Sequence, residues 1–222
     1  MARQWTREHE ARRQRILARM QRQATASEDM SPAAVAARKA LPFSEWCHEY
    51  LPHWFEAGDA PFHEPADARR NDTGLWLAEC WGSGAGKTTR YVIADVLHDI
   101  CNPVYRWTDR DTGKSWYASE VEVGDDYKQL TRGHRLIFEI LGARTEDAAA
   151  EKGDIIRFEL KNKPRIRADY GDAVTPRLGN DEETDFTANA VRVLARGIGQ
   201  SLRGQLHNGR RPQKFVGDDL ED

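Results

Sequence analysis

Two short stretches hold residues whose types and spacing could act on a phosphate group. The first is Gly82-Ser83-Gly84-Ala85-Gly86-Lys87-Thr88-Thr89. Glycines let backbone N–H groups close around phosphate oxygens, and a helix that opens at this point adds its partial positive charge. In such a cradle Lys87 reaches the β- and γ-phosphates of ATP, and Thr88 offers its hydroxyl to Mg²⁺. The usual first glycine, five residues before Gly86, is Trp81 here. The second stretch is Phe215-Val216-Gly217-Asp218-Asp219-Leu220-Glu221-Asp222, a short apolar run ending in acids. One carboxylate at such a strand end holds Mg²⁺, usually through water, and the next orients or deprotonates an attacking water. Asp218 takes the metal role and Asp219 the catalytic role, with Glu221 as its rival.

These residues need elements to position them. Leu75-Trp76-Leu77-Ala78 reads as a short buried strand leading into the glycine turn. Tyr91, Val92, Val96, Leu97 and Ile100 recur at helical spacing until Asn102-Pro103 stops the run. Val104 to Trp107 and Trp116 to Val123 read as two strands joined by the turn Asp111-Thr112-Gly113. The stretch Asp126 to Leu141 reads as a helix, with Tyr127, Leu130, Ile137, Ile140 and Leu141 on one side. A further helix covers Ile155 to Leu160 and ends at Asn162-Lys163-Pro164. Asp172 to Asp185 is polar and reads as an exposed loop. Phe186-Thr187 and Val191 to Ala195 form a hairpin around Asn189, followed by a glycine-spaced basic loop carrying Arg196, Arg203, Arg210 and Arg211.

Upstream, Phe43, Trp46, Tyr50, Trp54 and Phe55 suit a helix that covers the core, or an apolar slot beside a nucleotide base. Residues 1–23 carry seven arginines against Glu8 and Glu10, so a basic helix there could meet DNA phosphates or a partner, or stand solvated. Ala24 to Ala40 reads as a linker plus a short helix, and the domain boundary falls near residue 41. The chain has 222 residues, 31% of them charged, with a formal net charge of −3. It has no apolar run long enough to span a bilayer and no signal-like N-terminus. Cys47, Cys80 and Cys101 lack metal spacing and suit free thiols in a reducing cytoplasm. His48, His53 and His63 do not share one helical face, which argues against a metal site.

The order of parts resembles the ATPase domain of the large terminase subunit of tailed bacteriophages, the motor that packages DNA. The resemblance rests on Tyr50-Leu51-Pro52-His53-Trp54-Phe55, Pro61-Phe62-His63 and the Gly-Lys-Thr-Thr loop. Further pieces are Lys163-Pro164-Arg165-Ile166-Arg167-Ala168-Asp169-Tyr170-Gly171 and Thr187-Ala188-Asn189-Ala190-Val191-Arg192. The most specific is Gly197-Ile198-Gly199-Gln200-Ser201-Leu202-Arg203-Gly204, followed by Arg211-Pro212 and Asp218-Asp219-Leu220-Glu221-Asp222. It runs from about residue 41 to the end, and members of that family often lack the glycine replaced here by Trp81. They often carry an arginine at the position of Ser83, whose absence leaves the charge-stabilising arginine to Arg203, Arg196 or a neighbouring subunit.

The resemblance implies an α/β P-loop NTPase fold, a three-layer sheet with helices on both faces, incomplete at the C-terminus, with a helical N-terminal extension. It divides the chain into an extension and linker (1–40) and the N-terminal part of an ATPase domain (41–222), without the family's nuclease domain. It implies an ATP- and Mg²⁺-dependent hydrolase that translocates double-stranded DNA, in a host cytoplasm, encoded by a phage or prophage. Its partners would be the portal protein, the small terminase subunit and copies of itself in a ring on the portal, with no membrane. Gln200 and Arg203 would be sensors coupling phosphate state to movement, with Arg203 also acting on the transition state. In that family the strand between the phosphate-loop strand and the acid strand follows the acids, so residues 1–222 alone are expected to expose unpaired strand edges, to be poorly folded or aggregated, and to show little ATPase activity. Two alternatives share these motifs: another DNA-dependent ATPase such as a helicase, and a non-catalytic truncated remnant that holds nucleotide or a partner without turnover.

Overall fold

The computed structural model describes residues 29–56, 58–70, 86–123, 128–176 and 181–220. The basic segment 1–23, the strand expected at 75–78, Cys80, Gly82 to Ala85, and Glu221 lie outside the described residues.

A short helix, α1 (Pro32–Lys39), starts where Ser31 Oγ accepts the Ala34 N–H at 3.3 Å and Pro32 supplies a preset φ. Arg38 grips both carboxylate oxygens of Asp169 at 2.7 Å, which ties α1 to a helix far along the chain. The aromatic stretch forms α2 (Phe43–Tyr50), whose Phe43, Trp46, Cys47 and Tyr50 are buried, and is followed by α3 (His63–Arg69). The helix expected after the glycine turn is present and stops at Asn102-Pro103. Its opening turns, Thr88–Ala94, are π-helical, and α4 (Asp95–Cys101) continues them in α geometry. A π turn inside a helix is rare and tends to occur where function imposes the extra residue.

Two sheets follow. β1 (Val104–Asp109), β2 (Ser115–Ser119) and β3 (Leu130–Arg135) form an antiparallel sheet in the order β2-β1-β3. The expected turn closes β1 onto β2: the Asp109 carboxylate accepts the N–H groups of Asp111 and Thr112, and Gly113 takes φ +69°. β2 ends at Ser119, short of the expected Val123, because the chain turns into a short helix, α5 (Glu120–Val123), with Glu122 accepting the Ser119 N–H and hydroxyl.

The second sheet has the order β5-β6-β4-β7, from β4 (Phe138–Ala143), β5 (Asp185–Ala188), β6 (Val191–Gly197) and β7 (Lys214–Asp218). β4 is parallel to both β6 and β7, while β5 and β6 form the expected antiparallel hairpin. At its turn Asn189 and Ala190 both take positive φ, as a tight two-residue hairpin requires.

The helix expected over Asp126 to Leu141 is not there: this stretch supplies β3 and β4 instead. All six residues of β4 are buried, because it lies between two parallel neighbours with both faces covered. Such a strand loses its alternation, and its apolar residues then fall at helical spacing by chance. The helix expected from Ile155 begins nine residues earlier, as α6 (Glu146–Asn162), capped by Thr145 Oγ1 on the Ala148 N–H at 3.1 Å. Pro164 opens α7 (Pro164–Tyr170). The segment expected as an exposed loop from Asp172 starts within a 3-10 turn (Gly171–Val174) that buries Val174, and its last residue, Asp185, begins β5.

The main core joins α2, the π-helical turns, α4, α6 and α7 to one face of the four-stranded sheet, through Leu141, Val193 and Val216. On the opposite face Phe138, Ile140 and Leu194 pack together, and the His207 ring, from the loop after β6, lies 6.2 Å from that of Phe138. The described residues form a mixed α/β fold with two sheets. No helix among the described residues is long and apolar enough to cross a membrane.

Candidate active site

β7 and the helix after the glycine turn meet at the end of the sheet. Thr88 Oγ1 donates to Asp218 Oδ1 at 2.8 Å, joining residues 130 positions apart. Asp218 is the last residue of β7, opposite Ala143 of β4, and is 8% exposed. Its other oxygen, Oδ2, lies 3.2 Å from Lys152 Nζ, which also donates to Ala148 O at 3.2 Å. Both carboxylate oxygens are therefore engaged, one by a hydroxyl and one by an ammonium.

Gly86, just before Lys87, takes φ +75°, a conformation that costs glycine little. Its carbonyl accepts the Arg90 N–H at 2.8 Å, so the helical ladder starts at the turn itself. Lys87 and Thr89 are half-buried. Arg90, 1% exposed, is clamped by Asp67 and Asp59, with nitrogen–oxygen distances of 2.6 to 3.2 Å. The Tyr91 hydroxyl also donates to Asp67. These bonds fix the start of the helix, and with it Thr88, against α3 and the segment that precedes it.

Asp219 follows Asp218 with φ +46° and is exposed. A non-glycine residue in the left-handed region costs about 1–2 kcal/mol, less for aspartate, whose short side chain bonds locally. Its backbone turns away from the strand at once, which separates the two carboxylates: Asp218 is folded in and Asp219 faces solvent.

The other residues expected at the site lie in the loop after β6. Gln200 accepts the Gly197 N–H at 2.9 Å and donates to Glu146 Oε2 at 2.8 Å, and Arg196 lies 3.5 Å from the same carboxylate. Both are thus linked to the first turn of α6 rather than to Thr88 or Asp218. Gly197 allows this approach, since a Cβ there would fall 2.6 Å from Glu146 N. The Arg203 side chain is exposed, and its backbone N–H is held by Ser201 Oγ at 3.2 Å. Gly82 to Ala85 and Glu221 lie outside the described residues.

Sequence reasoning missed Lys152, Glu146 and Arg90. Lys152 fell outside the helix as read, yet it carried a signal. It sits among small residues, Ala148-Ala149-Ala150 and Gly153, which let α6 approach closely; a Cβ at Gly153 would be 2.7 Å from Glu183 O.

Thr88 and Asp218 supply two adjacent hard oxygen donors, which fits Mg²⁺. That ion commonly uses one or two protein oxygens and fills its other positions with water and substrate phosphate. No group of three or more His, Cys, Asp or Glu among the described residues could hold a metal. The histidines have other partners: His53 is buried between Glu159 (3.2 Å) and Lys163 (3.1 Å), and burial lowers the Lys163 amine. Cys47 and Cys101 are free thiols whose pKa values are raised by burial. Comparison with protein-family models, with curated proteins and with solved structures finds no match for the chain.

Proposed function

We propose that the chain is a P-loop ATPase and that its site hydrolyses Mg-ATP. One observation carries the reading: the hydroxyl directly after Gly86-Lys87 donates to the carboxylate at the end of β7 at 2.8 Å. Those two groups come from distant parts of the chain and have little reason to meet on a surface, but they are the pair a nucleotide-bound Mg²⁺ requires.

In this reading the turn before Lys87 holds the phosphates, and the Lys87 ammonium offsets the charge on their β- and γ-oxygens. Thr88 and Asp218 would hold an Mg²⁺ ion, which would supply positive charge against the phosphate oxygens. Asp219, exposed beside them, orients a water and takes its proton as the water oxygen bonds to the γ-phosphorus. The bond from that phosphorus to the bridging oxygen breaks, and ADP and phosphate leave.

The biological setting is read from the resemblance described above: an ATP-driven motor subunit of the terminase type that moves double-stranded DNA. Its partners would be the portal, the small subunit and further copies of itself. The basic loop from Arg196 to Arg211, anchored on α6 through Glu146, would couple hydrolysis to movement.

A fluorescent ATP analogue and a phosphate-release assay test the site together. Lys87→Ala should weaken Mg-nucleotide binding about tenfold or more, equivalent to about 1.4 kcal/mol, without lowering the melting temperature. Asp219→Asn should keep binding and lower turnover by about 10²–10⁴-fold. Equal affinity and equal turnover in both variants would defeat the proposal.

A further inference from the structure

α6 brings a cation to the end of β7. Lys152 Nζ lies 3.2 Å from Asp218 Oδ2, and the Lys152 side chain is 14% exposed. A hydrogen bond to Ala148 O, one turn back on α6, anchors the ammonium from the helix side. The lysine is therefore held beside the carboxylate by its own helix, with one flank open to water. Burying Asp218 without a counter-charge would be costly, and the Thr88 hydroxyl is a neutral partner. Lys152 supplies the missing charge at the spot that a divalent cation must neutralise.

We infer that Lys152 is a placeholder cation, holding Asp218 neutralised until a divalent cation takes over the carboxylate and expels the ammonium. The inference rests on the metal role given to Asp218 above and adds regulation to it. Two cations compete for one carboxylate, so Lys152 raises the divalent-ion concentration at which the site fills. Its release frees a positive charge next to the proposed phosphate site. α6 also carries Glu146, which holds Gln200 and Arg196, so this exchange occurs on the helix to which the basic loop is tied.

Mn²⁺ binding to the nucleotide-free protein, followed by loss of the free-ion paramagnetic signal, tests this without relying on turnover. Lys152→Gln should bind Mn²⁺ about tenfold more tightly than the parent chain. Lys152→Arg, which keeps the charge, should match the parent, and Asp218→Asn added to Lys152→Gln should abolish the gain. Equal affinity in the parent and Lys152→Gln overturns the inference. Acetylation of Lys152 in the unaltered chain, mapped by mass spectrometry, gives a second measure that needs no variant. It should rise as Mn²⁺ is added, and labelling that stays constant overturns the inference. A parent chain that binds no ATP analogue while Lys152→Gln still gains Mn²⁺ affinity would sink the nucleotide reading and leave the placeholder standing.

Discussion

The two ends of the β4–β7 pair each join a lysine to aspartate, yet they are built for different purposes. Where the strands begin, Glu139 of β4 lies opposite Lys214 of β7. Lys214 Nζ sits between Asp95 and Asp99 of α4, at 2.7 and 2.6 Å, and Arg70 bridges Asp95 and Glu122 at 3.0 and 2.7 Å. Where the strands end, Asp218 meets Thr88 and Lys152. At the first end the charges are closed in on one another. At the second, a buried carboxylate is shared by a hydroxyl and by an ammonium whose side chain is 14% exposed. Chemistry on a soluble substrate suits the second arrangement, since a group that must exchange partners needs partners that can leave. The closed end shows what the same residue types do when they only hold a fold.

Removing each lysine should separate the two ends most clearly. Lys214→Met leaves the buried Asp99 without its ammonium and Asp95 with Arg70 alone, and should cost about 3–5 kcal/mol of stability, measured by urea unfolding. Lys152→Met should cost clearly less. Equal losses would make Lys152 another structural charge and erase the contrast.

A second, smaller effect concerns pH at the closed end. Glu139 is fully buried, and neither carboxylate oxygen has a hydrogen-bond partner among the described residues. Burial raises its pKa well above the ordinary value, the charge of Asp99 and then Asp95 adds to the rise, and Lys214 opposes it. The folded chain thus keeps a proton that an unfolded glutamate releases near pH 4.3. Above that pH the unfolded state binds fewer protons, so stability falls as pH rises toward the folded value. Glu139→Gln removes this dependence. Its stability relative to the parent should improve from pH 4 to pH 8 by on the order of 1 kcal/mol, read from thermal melts. A gap between the two that does not change with pH would mean Glu139 is ionised in the fold.

The smallest expected effect compares backbone strain. Ala190, at the hairpin turn near the closed end, takes φ +64°, and Asp219, at the open end, takes φ +46°. Ala190→Gly should stabilise the chain by about 0.5–1 kcal/mol, because relief of the left-handed strain exceeds the extra freedom of glycine in the unfolded state. Asp219→Gly should give a gain of the same kind while removing the carboxylate and hence turnover. A chain stabilised at Ala190 but not at Asp219 would show that the aspartate side chain already offsets its strain.

Much of this was readable from local pattern. The turn at Asp111-Thr112-Gly113, the hairpin at Asn189, the strand ending in Asp218 and the helix running to Asn102-Pro103 are all signalled within a few residues of where they occur. Turn residues, caps and prolines act on their own neighbours, so they need no knowledge of the rest of the chain. The side-chain types that suit a phosphate site, Lys87, Thr88, Asp218 and Asp219, were visible for the same reason. Only the tertiary structure decided which groups meet. β4 read as a helix because a strand buried on both faces has no alternation to display, and it is its neighbours β6 and β7 that bury it. Arg90 and Lys152 gained their partners through packing: Asp59 and Asp67 reach one, and Asp218 reaches the other across the space between α6 and β7. Charge pairs of this kind depend on distance in space, and distance along the chain carries almost no trace of it.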